Sequence, residues 1–287
     1  MIPITLNDSR IKNLVSICFL QIGKMLGTIL LLSVFLSACQ SGQNNTQTQV
    51  ITENNTPDIQ PPKPSPSTSF TLPYRLNPSN LPENEKAPIV FALHGFKSNM
   101  DDLFGLKDYI DPRFTFVSVQ APHSAGENQY KWYDLVFSNK GDVSSNTTEA
   151  AESVQILSSF IDAAVAQLKA DVDQVYLLGF SQGAMMSLYL ALSEPQKIAG
   201  VAVLSGKMIE GLESHISQNR DDLSNLSVLV THGKNDNVIS IEQAREMNQM
   251  LEKLPVRLSY NEYNMGHQIS EQCLKDISKW FENSINR

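Results

Sequence analysis

The sequence predicts an α/β fold with a mostly parallel central sheet flanked by helices, and three observations carry that prediction. Short apolar runs rich in Val, Ile, Leu and Phe alternate with longer segments whose apolar residues recur every three or four positions, the pattern of strand-helix-strand units. Most of the short runs are continuously apolar, as strands covered by helices on both faces must be. Finally, Gly179-Phe180-Ser181-Gln182-Gly183 stands between one such run and one such segment, where the two glycines permit a tight strand-to-helix turn that bulkier side chains would obstruct.

Taken in order, strands are predicted at residues 89–93, 114–119, 174–178, 201–204, 227–231 and 257–263, with an edge strand near 70–74. The longest helix follows Asn146, which forms a capping pair with Glu149 ahead of Ala150, Val154, Leu157, Ile161, Val165 and Leu168. A second helix, 184–192, follows Ser181, and a third spans about 241–251. The last starts at Ser270 and lines up Cys273, Leu274, Ile277, Trp280 and Phe281, which assigns Cys273 to the core.

Three parts divide the 287 residues. Residues 1–38 read as a leader, because Arg10, Lys12 and Lys24 precede an apolar run at 25–36 that is too short to span a bilayer comfortably and has the length of a signal-peptide core; the alternative, an uncleaved anchor over 13–38, would centre Lys24 in the membrane at a cost. It ends in Leu36-Ser37-Ala38-Cys39, which resembles the bacterial lipobox and implies cleavage before Cys39, lipid attachment there and a membrane anchor. Gln40 resembles the pattern that lets such proteins reach an outer membrane, so the expected location is the cell envelope. Residues 39–69 are Gln, Asn, Thr, Pro and Ser with few large apolar residues, a tether. Residues 70–287 are left as one catalytic-size domain.

Composition removes other classes. A formal charge of −8, with no Lys/Arg stripe, argues against nucleic acid as a partner. Cys18, Cys39 and Cys273 are far apart and form no Cys-x-x-Cys pair, so neither a zinc site nor a disulfide framework is expected.

The chemistry starts from Ser181. A serine hydroxyl is a weak nucleophile near neutral pH and needs a histidine base that is itself oriented by a carboxylate. After a turn of this type the partners follow in the chain order Ser, Asp, His. His94 and His123 precede the serine, His215 lies in a polar stretch, and His232 reads as a strand-end turn residue. His267 follows the last strand within Asn264-Met265-Gly266-His267 and is the expected base. The acid belongs one strand earlier, where Asp236 stands just beyond the 227–231 run; Asp221 and Asp222 precede that run and read as solvated charges. Gly95 lets the chain turn after the 89–93 strand, so the backbone N–H groups of Phe96 and Gln182 are the expected oxyanion donors. His94 is assigned no proton transfer.

His94-Gly95, Gln120-Ala121-Pro122, Trp132-Tyr133-Asp134, the serine motif, His232-Gly233 through Asp236, and Gly266-His267 stand in the order of the phospholipase/carboxylesterase family of α/β-hydrolases, which the domain resembles throughout. The resemblance implies a metal-independent, cofactor-free serine esterase with Ser181, Asp236 and His267 as its triad. Two departures stand out. Phe96-Lys97-Ser98 replaces the family's common second glycine and acidic residue, and the segment between Pro122 and Trp132 is polar where long-chain thioesterases help form an apolar channel. The expected substrate is therefore a small-molecule ester, with Tyr130 and Trp132 as an aromatic wall beside Ser181. Thioester or lysophospholipid hydrolysis is the alternative within enzymes, and a catalytically silent surface lipoprotein the alternative outside them.

Overall fold

The computed structural model describes residues 72–137 and 143–285. The 1–38 leader, the 39–69 tether with Cys39, and Phe70 and Thr71 of the expected edge strand lie outside the described residues. In chain order the strands before the first long helix are β1 (Tyr74–Asn77), β2 (Ile89–Leu93), β3 (Thr115–Val119), β4 (His123–Gly126), β5 (Gln129–Lys131), β6 (Leu135–Phe137) and β7 (Val143–Ser145). There follow α1 (Thr147–Gln167), β8 (Val175–Phe180), α2 (Gln182–Ser193), β9 (Gly200–Leu204), α3 (Arg220–Asn225), β10 (Ser227–Gly233), α4 (Ile241–Leu251), β11 (Arg257–Tyr263) and α5 (Glu271–Ile285).

Seven strands form the central sheet in the order β1-β3-β2-β8-β9-β10-β11. Only β1 is antiparallel to its neighbour; the remaining pairs are parallel. Alternate side chains of the strands enter two separate cores. Phe91, Leu177, Val201, Val203 and Val228 pack with residues of α1 and α2, whereas Val90, Leu178, Ala202 and Leu229 pack with Cys273, Ile277 and Phe281 of α5. Because both faces are covered, neither face needs polar residues, which is why these strands read as unbroken apolar runs.

The edge strand is a correction to the sequence reading. Among the described residues it begins at Tyr74, where the expected strand ends, since Pro73 has no N–H to give a ladder, and it stops before Pro78. A second difference lies between residues 123 and 145, where the polar sequence makes two small hairpins, β4 with β5 and β6 with β7. The cap of α1 is half of the expected pair: the Asn146 side chain accepts from Glu149 N at 3.2 Å. The Glu149 carboxylate instead accepts from the Asp134 N–H, tying the helix start to the β5–β6 connection. Among the described residues no helix is long and apolar enough to cross a membrane.

Parallel pairing has one consequence for function. β2, β8, β10 and β11 all release the chain at the same edge of the sheet, so residues 94–98, Ser181, 234–239 and 264–267 are brought to that edge from distant parts of the sequence.

Candidate active site

Ser181 alone connects β8 to α2. Its backbone sits at φ 55° and ψ −117°, a conformation that costs a residue with a Cβ about 1–3 kcal/mol. The surrounding backbone holds it there: Ser181 N donates to Leu204 O at 2.9 Å, and Ser181 O accepts from Met185 N at 3.1 Å. Gly183 is required because α2 starts against the end of β2. A Cβ at that position would stand 2.0 Å from Leu93 O and 2.6 Å from His94 O. The contact sets the distance between the helix N-terminus and the loop that follows β2.

The three residues expected from the sequence are brought together. Ser181 Oγ lies 2.9 Å from His267 Nε2, and His267 Nδ1 lies 2.7 Å from Asp236 Oδ2. A carboxylate only accepts, so the Nδ1 proton points to Asp236 and Nε2 is left to take the proton of Oγ. The other oxygen, Asp236 Oδ1, accepts from the N–H groups of Val238 at 2.9 Å and Ile239 at 3.0 Å. Burial pushes the Asp236 carboxyl up, but the bond to His267, its charge and the two amides outweigh burial and hold it below the usual carboxylate range.

The expected oxyanion donors are carried by two elements that meet at Ser181, the start of α2 and the loop after β2. Gln182 is the first residue of α2, so its N–H has no partner within the helix. Phe96 follows Gly95, which faces the serine: a Cβ there would be in van der Waals contact with Ser181 Cβ at 3.4 Å. The ring of His94 fixes the peptide that carries the Phe96 N–H. Ala121 N donates to His94 Nε2 at 3.0 Å, which puts the ring proton on Nδ1, and Nδ1 donates to Gly95 O at 2.8 Å. The carbonyl of Gly95 and the N–H of Phe96 belong to one trans peptide and point in opposite directions, so holding the carbonyl back sets the direction of the N–H. Burial lowers the His94 pKa to about 4, against the raising effect of the bond to Gly95, and the ring is neutral at pH 7.

Trp132 is a correction. Expected as a wall of the substrate site, it is fully buried and serves as a brace. Its indole N–H donates to His94 O at 2.9 Å, and its backbone N–H donates to Gln182 Oε1 at 2.9 Å. Gln182 Nε2 completes the strap by donating to Tyr133 O at 2.8 Å. The residue that carries one expected oxyanion N–H is thus joined through Trp132 to the loop that carries the other. Tyr130 stays partly exposed and donates its N–H to Ser98 O at 2.7 Å, beside the oxyanion loop. The bracing roles of His94, Trp132 and the Gln182 side chain were not anticipated from the sequence. The available signal was that a histidine ending an apolar run, a tryptophan and a glutamine next to the nucleophile each carry polar groups that need partners when buried.

A strained serine on a strand-to-helix turn at the carboxyl edge of a mostly parallel sheet, bonded to a histidine that is bonded to an aspartate, defines a serine hydrolase of the α/β-hydrolase fold. The chain belongs to the phospholipase/carboxylesterase family, whose profile matches residues 80–285. Carboxylesterase SOBER1 of Arabidopsis thaliana is 29% identical over 135 residues, which is 47% of this chain and 58% of that protein, little more than half its length. Acyl-protein thioesterase 1 of Candida albicans is 24% identical over 217 residues, 70% of this chain and 94% of that protein. Among solved structures, esterase PE8 matches with a TM-score of 0.64 and 25% identity over 74% of this chain and 98% of its own. The Bacillus cereus carboxylesterase matches in fold, with a TM-score of 0.64 and 18% identity over 76% of this chain and 96% of its own.

Proposed function

We propose that this protein hydrolyses small carboxylic esters through a covalent acyl-serine. The observation that carries the reading is the unbroken line from Ser181 Oγ through His267 to Asp236, with bonds of 2.9 and 2.7 Å. As Oγ attacks the ester carbonyl, His267 Nε2 takes its proton, and Asp236 holds the Nδ1–H and balances the imidazolium charge. The Phe96 and Gln182 N–H groups hydrogen-bond to the oxyanion. Collapse of the tetrahedral intermediate breaks the ester C–O bond, and the departing alcohol receives the proton from Nε2. Water then enters, loses a proton to His267 and attacks the acyl carbon, releasing the acid and restoring Ser181. A fluorophosphonate probe should label the wild-type protein at Ser181 and leave Ser181→Ala unlabelled. Equal labelling of both, or ester turnover by Ser181→Ala near that of wild type, would overturn the reading.

Thioester hydrolysis is a second reading, favoured by the match along 94% of the length of a thioesterase. The same triad attacks either carbonyl. Matched pairs of oxygen and sulfur esters with the same acyl group separate the two: a kcat/KM advantage for the sulfur ester beyond its higher intrinsic reactivity selects the second.

Lipid attachment at Cys39 is part of the proposal, supported by Leu36-Ser37-Ala38-Cys39 after an apolar run and by the Pro-rich stretch that follows. It makes the protein an envelope enzyme held on a membrane, with Gln40 favouring the outer one. Mass analysis of the mature N-terminus should find a lipid-modified Cys39, and Cys39→Ala should leave an unprocessed precursor. An unmodified chain that starts elsewhere would refute the anchor.

A further inference from the structure

His232 takes no part in the proton transfers described above, yet it lies against the acid. It is the penultimate residue of β10 and its side chain is wholly buried, as is that of Asp236. Its Nε2 is 2.9 Å from Ile239 O and 3.4 Å from Asp236 Oδ2. A carbonyl oxygen only accepts, so the ring proton is on Nε2. Nδ1 is buried and has no hydrogen-bond partner among the described residues. The N–H edge of the ring therefore serves the acid loop alone.

The bonds close a circuit. Asp236 Oδ1 accepts from Ile239 N at 3.0 Å, Ile239 O accepts from His232 Nε2, and the backbone from His232 to Asp236 completes the ring. The carboxylate accepts from the Val238 and Ile239 amides of its own loop, whose near end is held by the bonds from Lys234 N to Tyr263 O at 2.8 Å and from Asn235 N to Met265 O at 3.1 Å and whose Ile239 side chain packs in the core. The imidazole adds a direct bond from the far end of that loop to a strand of the central sheet, and the positive edge of the ring faces the oxygen that serves His267.

We propose that His232 is a positioning residue that fixes Asp236 Oδ2 in line with His267 Nδ1. The proposal rests on the hydrolytic reading above. Glutamine and methionine are close in shape, but only glutamine offers an N–H from a position comparable to Nε2, so the pair His232→Gln and His232→Met isolates the donor. In the full-length protein, His232→Met should lower kcat for a short-chain chromogenic ester by about 10- to 100-fold, the range a misplaced catalytic group produces. KM should stay within about twofold of wild type, as expected when a transition-state interaction is lost and ground-state binding is not. His232→Gln should recover most of the lost kcat. The far-downfield proton resonance of His267 Nδ1–H, which reports its bond to Asp236, should move or broaden in the Met variant and return in the Gln variant.

Met and Gln variants that are equally active, or equally impaired with that resonance unmoved, would overturn the assignment. If the Met variant fails to fold, a folded Gln variant without the resonance overturns it as well. Ser181→Ala in the same assay separates the two levels: full activity there sinks the hydrolytic reading, whereas an inactive Ser181→Ala beside indistinguishable Met and Gln variants sinks only the role of His232.

Discussion

At Ser181 and His267 the loss of either side chain stops the same event, so their effects do not add. Ser181→Ala and His267→Ala should each lower kcat by about four to six orders of magnitude, and the double variant should be no worse than either alone. Asp236→Asn leaves the base present but poorly oriented and should cost about three to four orders; pre-steady-state titration of active sites gives the turnover per competent enzyme that these comparisons need. His94 makes a prediction of another kind, about stability. Its pKa is about 4 in the fold against an ordinary 6.5, so between those values the unfolded chain binds a proton that the folded one refuses. Stability from this group is complete above about pH 6.5 and falls as pH drops toward 4, by at most about 3 kcal/mol. Urea unfolding across that window should show the slope in wild type and a shallower one in His94→Gln. Ser181, Asp236 and His267 were legible because a triad must appear in a fixed chain order after a recognisable turn. The ring bonds of His94 and His232 were not, because they depend on Ala121 and Ile239 arriving beside them only once the chain is folded.

Among the elements, the strand at 89–93 and the strand at 257–263 agree with the sequence reading to the residue, as does the helix at 241–251. The first is an apolar run between Pro88 and His94, the second alternates along an edge strand of the sheet, and the helix repeats Ile241, Ala244, Met247 and Leu251 every three or four residues, so each pattern shows where its element ends. The strand before the serine runs two residues further than its predicted end at 178, because Gly179 and Phe180 still pair with Val203 and Leu204 although they belong to the turn motif. The hairpins between residues 123 and 145 gave no signal: their strands are only three or four residues long and, apart from Leu135-Val136-Phe137, mostly polar, and the first hairpin depends on the bridge from Tyr130 to Ser98 in the oxyanion loop. Two predictions belong to this scale. Asn146→Ala removes the acceptor for Glu149 N and should cost about 1 kcal/mol, visible as a lower Tm with unchanged kcat/KM. Gly183→Ala drives a methyl into the Leu93 and His94 carbonyls and should cost about 3 kcal/mol or more. A Gly183→Ala protein as stable and active as wild type would contradict the close approach of α2 to β2.

For the whole molecule, substrate size follows from what surrounds the serine. Each methylene buried in an apolar channel contributes about 0.8 kcal/mol, close to fourfold in kcat/KM per carbon until the channel is full. The β4–β5 hairpin beside the oxyanion loop carries mainly Ser, Gly, Glu, Asn, Gln and Lys, and Trp132 is withdrawn into the interior. kcat/KM should therefore peak at acyl chains of roughly two to six carbons; chromogenic esters of graded length, kept below micelle-forming concentration, test this, and a rise continuing past about ten carbons would contradict it. Finally, the reversed direction of β1 gives the domain an orientation. Tyr74 pairs with Val119 at the carboxyl end of β3, and Pro73 O accepts from Gln120 N, so the chain enters at the edge that carries Ser181. It leaves from the other edge, where Ser284 O meets the hydroxyl of Tyr176, near the start of β8. A load attached ahead of Leu72 is therefore carried on the mouth side of the enzyme, and one attached beyond Ile285 on its back. A bulky carrier fused in front should obstruct hydrolysis of polymer-bound esters while sparing small ones, and the same carrier fused behind should obstruct neither. By the same geometry, a surface that holds the protein by its front end holds the mouth within reach of whatever esters that surface presents.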